Sequence, residues 1–297
     1  MIAICYDTEV MPRVVPYEAI AFLPQKSDFE RAVEQFQAGA THLVEEGVIA
    51  GAFIHGSAAI RATTPLSDID AVVALRYDSP ISRSQVRDLT YGIIAYRPVD
   101  LLFEPLVKDV AALATGFHSK DRFFGAHLKA PDRLIIGEDP AAYMRFRDDT
   151  AHDILKAYLA HKVETSSDAH MATGRMAAEG RGLQRVIELP KTVGRKTLQA
   201  VMEVQGSSNK FAYSDPATYL KSAEIMFDDN GLGDEFRYLQ GYEGSYRQMV
   251  SRVKAGDISK GSYYGTLSEM REDIPRAIRW LNSVAETFLP KLQLGNQ

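Results

Sequence analysis

The sequence predicts an α/β (α+β) chain, with a central sheet and flanking helices up to about residue 140 and a mainly α-helical stretch from 141 to 297. Three observations predict it. Apolar runs of strand length cluster in the first half, at Val48–His55, Ala71–Leu75 and Val99–Phe103. Segments with helical patterning stand before and between them. After Pro140 strand signals are few, and turn residues cut the chain into pieces of helical length. At 297 residues with 45% hydrophobic content, two packed units are expected, 1–140 and 141–297.

Taken in order, Ser27-Asp28-Phe29-Glu30 has the form of a capping box, and Phe29, Val33, Phe36, Ala40 and Leu43 recur at steps of four and three. An amphipathic helix ending near Gly47 follows. Val48–His55 reads as a buried strand that stops at a turn on Gly56. Ala71–Leu75 and Val99–Phe103 are further strands, separated by a segment from Ser82 to Tyr96 that can be helical, and Leu134–Gly137 can add one more. Turns are expected around Pro190, Gly194, Gly206–Asn209, Asp215-Pro216, Gly231–Gly233 and Gly256. No fixed-period repeat is visible.

A net charge of −5 and a pI near 5.8 argue against a uniformly basic nucleic-acid coat. Charge is nevertheless uneven. Between Met171 and Ala200 six bases (Arg175, Arg181, Arg185, Lys191, Arg195, Lys196) face two acids, whereas residues 224–235 carry five acids and no base. Cys5 stands alone, so no intramolecular disulfide is expected. The first residues lack the basic flank and long apolar core of a signal peptide, and no apolar stretch reaches the roughly 18–20 residues that span a bilayer. A cytoplasmic protein without membrane association is the expectation.

The chemistry concentrates in Phe53-Ile54-His55-Gly56-Ser57, ten further residues, and Asp68-Ile69-Asp70-Ala71-Val72-Val73. Strand side chains alternate, so Asp68 and Asp70 project to one face while Ile69 and Ala71 pack on the other. Two adjacent carboxylates are costly without a cation, and their hard oxygens suit Mg²⁺. Gly56 allows close backbone approach to a ligand, and the Gly-Ser pair offers amide hydrogens and a hydroxyl to phosphate oxygens. Asp100 interrupts the apolar run at 99–103, and a buried carboxylate needs a partner. On a strand beside Asp68 and Asp70 it could complete a two-metal site or serve as general base. Glu104 is its rival, with Asp100 favoured.

At these residues the chain resembles the DNA polymerase β-like nucleotidyltransferase superfamily, whose mark is an apolar strand, a Gly-Ser or Gly-Gly pair, and an Asp-x-Asp about a dozen residues later. Gly56, Ser57, Asp68 and Asp70 match that mark, over a stretch of about a sixth of the chain, residues 50–103. The resemblance implies a nucleotidyltransferase fold with a small mixed sheet, and two Mg²⁺ ions, with Mn²⁺ a substitute, held by Asp68, Asp70 and a third acid where Asp100 falls. It implies a nucleoside triphosphate donor and release of pyrophosphate. The general picture is a bacterial nucleotidyltransferase domain followed by a helical domain that closes the cleft, as in antibiotic-modifying enzymes and toxin-type members.

Other features are weaker. Arg61, between the turn and the carboxylates, is placed to reach a phosphate. The segment Arg175–Lys196 is a candidate for binding triphosphate or a nucleic-acid acceptor. His55 lacks a partner at metal-ligand spacing and reads as a hydrogen-bonded structural histidine. Arg147-x₄-His152 resembles a short ribonuclease signature that arises readily by chance. The acceptor is open between a small hydroxylated molecule, tRNA and a protein, and an alternative is a silent nucleotide-binding or toxin-antitoxin interaction module.

Overall fold

The computed structural model describes residues 14–59, 61, 63, 67–94, 103, 105–115, 121–128, 133–171, 183–206 and 216–294. It is a mixed α/β protein, mostly helical, with a four-stranded mixed sheet among the described residues. The chain divides into two compact units, Phe22–Asp148 and Asp149–Gln297, the latter joined by Arg13–Ala21.

In the first unit, α1 (Lys26–Glu45) runs into β1 (Ile49–His55), whose seven residues are all buried. The helix begins before Ser27, so the box is displaced from its expected place. Gln25 is the N-cap, and its N–H donates to the Asp28 carboxylate at 2.9 Å. A one-turn helix, α2 (Gly56–Ala59), follows β1, then β2 (Asp70–Leu75) and α3 (Pro80–Ile94). Next come β3 (Leu106–Asp109), α4 (Val110–Thr115), α5 (Arg122–Leu128), β4 (Leu134–Gly137) and α6 (Pro140–Tyr143). The expected strand at 99–103 falls mostly outside the described residues. The described strand there begins at Leu106, preceded by a parallel bridge between Ile69 and Phe103.

The sheet order is β3-β2-β1-β4, with β1 antiparallel to both β2 and β4 and with β2 parallel to β3. Each face has its own core, which explains the continuous burial of β1. Ile54, Ile69, Ala71, Val73 and Leu75 pack with Phe29 and Phe36 of α1 and Val86 of α3. Phe53, Val72 and Ala74 pack on the other side with Leu113 of α4, Leu128 of α5 and Ala141 of α6. The even-numbered residues of β2 therefore face α4 to α6.

The second unit is helical among its described residues: α7 (Ala151–Met171), α8 (Leu183–Ile187), α9 (Leu189–Val204), α10 (Pro216–Asp228), α11 (Gly233–Ala255), α12 (Lys260–Glu272) and α13 (Ile274–Leu294). Its core includes Phe227, Phe236, Trp280 and Phe288, whose rings meet at centroid distances of 4.9 to 6.2 Å. Ala277, Leu281, Val284, Phe288 and Leu292 form the buried stripe of α13 at steps of four and three. Pro190 and Gly194 do not divide the chain as expected but lie inside α9. Pro190 occupies the first turn, where its missing N–H is not needed, and Gly194 lets α9 approach Ala223 and Phe236 closely. Among the described residues, no helix is long and apolar enough to cross a membrane.

Candidate functional site

The site is built where β1 ends and β2 begins. β1 stops at His55 because Gly56 turns the chain with a φ of +70°, a left-handed conformation that a side chain disfavours. Gly56 and Ser57 are half-buried at the head of α2. On the neighbouring strand Ile69 and Ala71 are buried in the core beneath α1 and α3. Alternation directs Asp70 to the other face, whereas Asp68, expected on the same strand, lies just ahead of β2, which begins at Asp70. Both aspartates are half-buried.

Gly56 and Asp70 come together. An ideal Cβ on residue 56 would lie 3.0 Å from Asp70 Oδ2, so the carboxylate leans over the glycine backbone. Carboxylate and hydroxyl oxygens of the kind that Asp68, Asp70 and Ser57 carry are hard donors, the type that a divalent cation such as Mg²⁺ takes. Among the described residues there is no group of three or more His, Cys, Asp or Glu side chains arranged to hold a metal ion. Asp100 and Glu104, the candidates for a third carboxylate, lie outside the described residues. Phe103 itself makes a parallel bridge to Ile69, just ahead of β2.

No model of a known protein family matches the chain, and no curated protein sequence matches it either.

Arg61 is exposed and has a φ of +56°, the one non-glycine residue in the left-handed region among those described. Its N–H donates to the Ala58 carbonyl at 3.4 Å, which closes the turn after α2. Two residues absent from the expected site share its sheet face. His55, 8% exposed, pairs directly with Asp70 in the β1/β2 register. Arg133, just before β4, places its guanidinium 5.1 Å from the Phe53 ring centroid and binds Asp139 at 2.7 Å. No local spelling marks Arg133. Only the β1/β4 pairing carries it there.

The remaining features divide by unit. Arg175 and Arg181 lie outside the described residues. In α9, Lys191, Arg195 and Lys196 are half-buried, and the Lys196 ammonium stands 5.6 Å from the Tyr158 ring of α7, which also receives the buried Lys162 at 5.1 Å. Two lysines share one aromatic ring, a cation–π arrangement inside the helical unit. The acidic run at 224–235 is not a bare patch. Arg237 pairs with Glu224, Asp228 and Asp234, and Arg276 with Glu235. The Arg276 guanidinium beside Glu235 holds that carboxyl below its usual range. Arg147 belongs to the first unit and His152 to the second, where its ring meets Asp153 at 3.2 Å and Gln293 at 3.1 Å.

Proposed function

We propose that the protein is a metal-dependent nucleotidyltransferase, built on a fold of the DNA polymerase β-like type, that moves a nucleoside monophosphate from a nucleoside triphosphate to an acceptor hydroxyl. One observation carries this reading. The Asp70 carboxylate leans over the Gly56 backbone, so the candidate phosphate turn and the candidate metal ligand occupy one edge of the sheet.

Asp68 and Asp70 would hold Mg²⁺, or Mn²⁺ in its place, with Asp100 as the third ligand or as the base that takes the acceptor proton. The cation, when bound, neutralises phosphate charge and acidifies the attacking hydroxyl. The protein's own share is positioning. Amide hydrogens of the Gly56-Ser57 turn and the Ser57 hydroxyl donate to the phosphate oxygens of the donor, and Arg61 approaches the same phosphates from the loop. The acceptor oxygen then forms its bond to the α-phosphorus as the bond from that phosphorus to the β-bridging oxygen breaks. Pyrophosphate leaves with that electron pair.

The test is incubation with each α-labelled nucleoside triphosphate, Mg²⁺ or Mn²⁺, and separate pools of aminoglycosides, tRNA and protein. Label is expected on one class of acceptor with the wild-type chain and not with Asp70→Asn. Absence of label from every pool under both metals would remove the reading.

A further inference from the structure

We infer that His55 is a positioning residue for the Asp70 carboxylate, holding it at the Gly56 turn in the orientation a divalent cation requires. The inference rests on the nucleotidyltransferase reading and gives a role there to a residue whose sequence context suggested a hydrogen-bonded structural histidine.

His55 and Asp70 are directly opposite in the antiparallel β1/β2 register. Such partners project from the same face, with Cβ atoms about 4.5–5.5 Å apart, within reach of an imidazole N–H and a carboxylate oxygen. The ring is confined. His55 is 8% exposed and its imidazole lies 5.7 Å, centroid to centroid, from the Phe53 ring on the same strand face. Asp70 Oδ2 meanwhile leans over Gly56, the residue that follows His55. Consecutive residues thus meet Asp70, His55 opposite it in the strand register and the bare Gly56 beneath its carboxylate.

The chemistry favours this bracket. Without a cation, repulsion from Asp68 drives Asp70 away from the shared volume. A nitrogen donor from a neighbouring strand opposes that drift and fixes which oxygen faces the metal. Outer partners of this kind are worth about 10–100-fold in metal affinity.

The experiment is a Mn²⁺ titration followed by electron paramagnetic resonance on the full chain, comparing wild type, His55→Phe, His55→Gln and Asp70→Asn. Near- and far-UV circular dichroism establishes folding of each. His55→Phe keeps the ring without a nitrogen donor, and His55→Gln keeps a donor. Mn²⁺ affinity is expected to fall about 10–100-fold in His55→Phe, with His55→Gln recovering most of it. Equal affinity in wild type and His55→Phe overturns the proposal, as does equal weakening in both His55 variants, which marks a packing role. Should His55→Phe not fold, His55→Leu replaces it, and failure of that variant too assigns His55 to packing and overturns the proposal. If wild type binds Mn²⁺ no better than Asp70→Asn, the nucleotidyltransferase reading itself falls. If only the His55 variants are silent, that reading stands and this inference alone is lost.

Discussion

At the scale of single residues, the site is a place where stability is set against charge. Asp68 and Asp70 are half-buried, like-charged and two positions apart in sequence, so removing either relieves repulsion. Asp68→Ala and Asp70→Asn are therefore expected to keep or raise the melting temperature. In a labelled-nucleotide assay they should lose roughly two to three orders of magnitude of metal-dependent transfer, the scale of one lost transition-state partner. Full activity of Asp68→Ala in Mg²⁺ would contradict its assignment as a ligand. Gly56 makes the complementary case. A Cβ there must adopt a φ of +70° and stands 3.0 Å from Asp70 Oδ2. Gly56→Ala should cost about 1–2 kcal/mol in urea denaturation and weaken Mn²⁺ binding, because the carboxylate must move aside. A variant as stable as wild type would mean that the turn relaxes freely.

At the scale of elements, close approaches and ion pairs decide more than propensity does. β1 and β4 meet so tightly at Gly51 that an added Cβ would lie 1.9 Å from the Glu138 carbonyl oxygen. That neighbour is backbone and cannot swing away, so Gly51→Ala should destabilise the first unit by more than about 2 kcal/mol, measured by urea denaturation followed by circular dichroism. Among the helices, Asp273 at the end of α12 accepts hydrogen bonds from Tyr238 and Tyr242 of α11, which hold its carboxyl below the usual range. A depressed carboxylate contributes stability above its unfolded pKa of about 4 and loses it as pH falls through the folded value. Between pH 5 and 3 the wild type should therefore lose more stability than Asp273→Asn, read as the change in denaturation midpoint. Parallel losses in the two proteins would show that another carboxylate governs the acid limb.

At the scale of the whole molecule, the path of the chain matters. Residues 13–21 belong with the helical unit, after which Phe22 begins the main run of the first. Tyrosine hydroxyls secure this segment: Tyr263 donates to the Val15 carbonyl, Tyr246 accepts from the Val15 N–H at 2.9 Å, and Tyr17 donates to the Ile258 carbonyl at 2.9 Å. Tyr263 is fully buried, and burial pushes its phenol well above the ordinary value, so it remains a donor throughout the working pH range. Tyr263→Phe should cost about 1–3 kcal/mol by leaving a buried carbonyl without its donor. The only tryptophan, Trp280, is buried in that same unit, so its fluorescence reports this loss separately from the sheet. An unchanged fluorescence midpoint would mean that the segment adds nothing to the helical core.

Sequence alone determined what depends on neighbours along the chain. The period of α1, the apolar runs of β1, β2 and β4, and the turn at Gly56 are all local consequences of backbone geometry. Much of the candidate site was legible for that reason. Tertiary structure decided what depends on pairing. The register that sets His55 against Asp70, the lean of Asp70 over Gly56, the arrival of Arg133 beside Phe53, and the neutralisation of the acidic run by Arg237 and Arg276 join residues that no spacing rule links. Strand order and helix packing are settled by the burial of two opposite sheet faces and an aromatic helical core, a collective property that no short stretch of sequence contains.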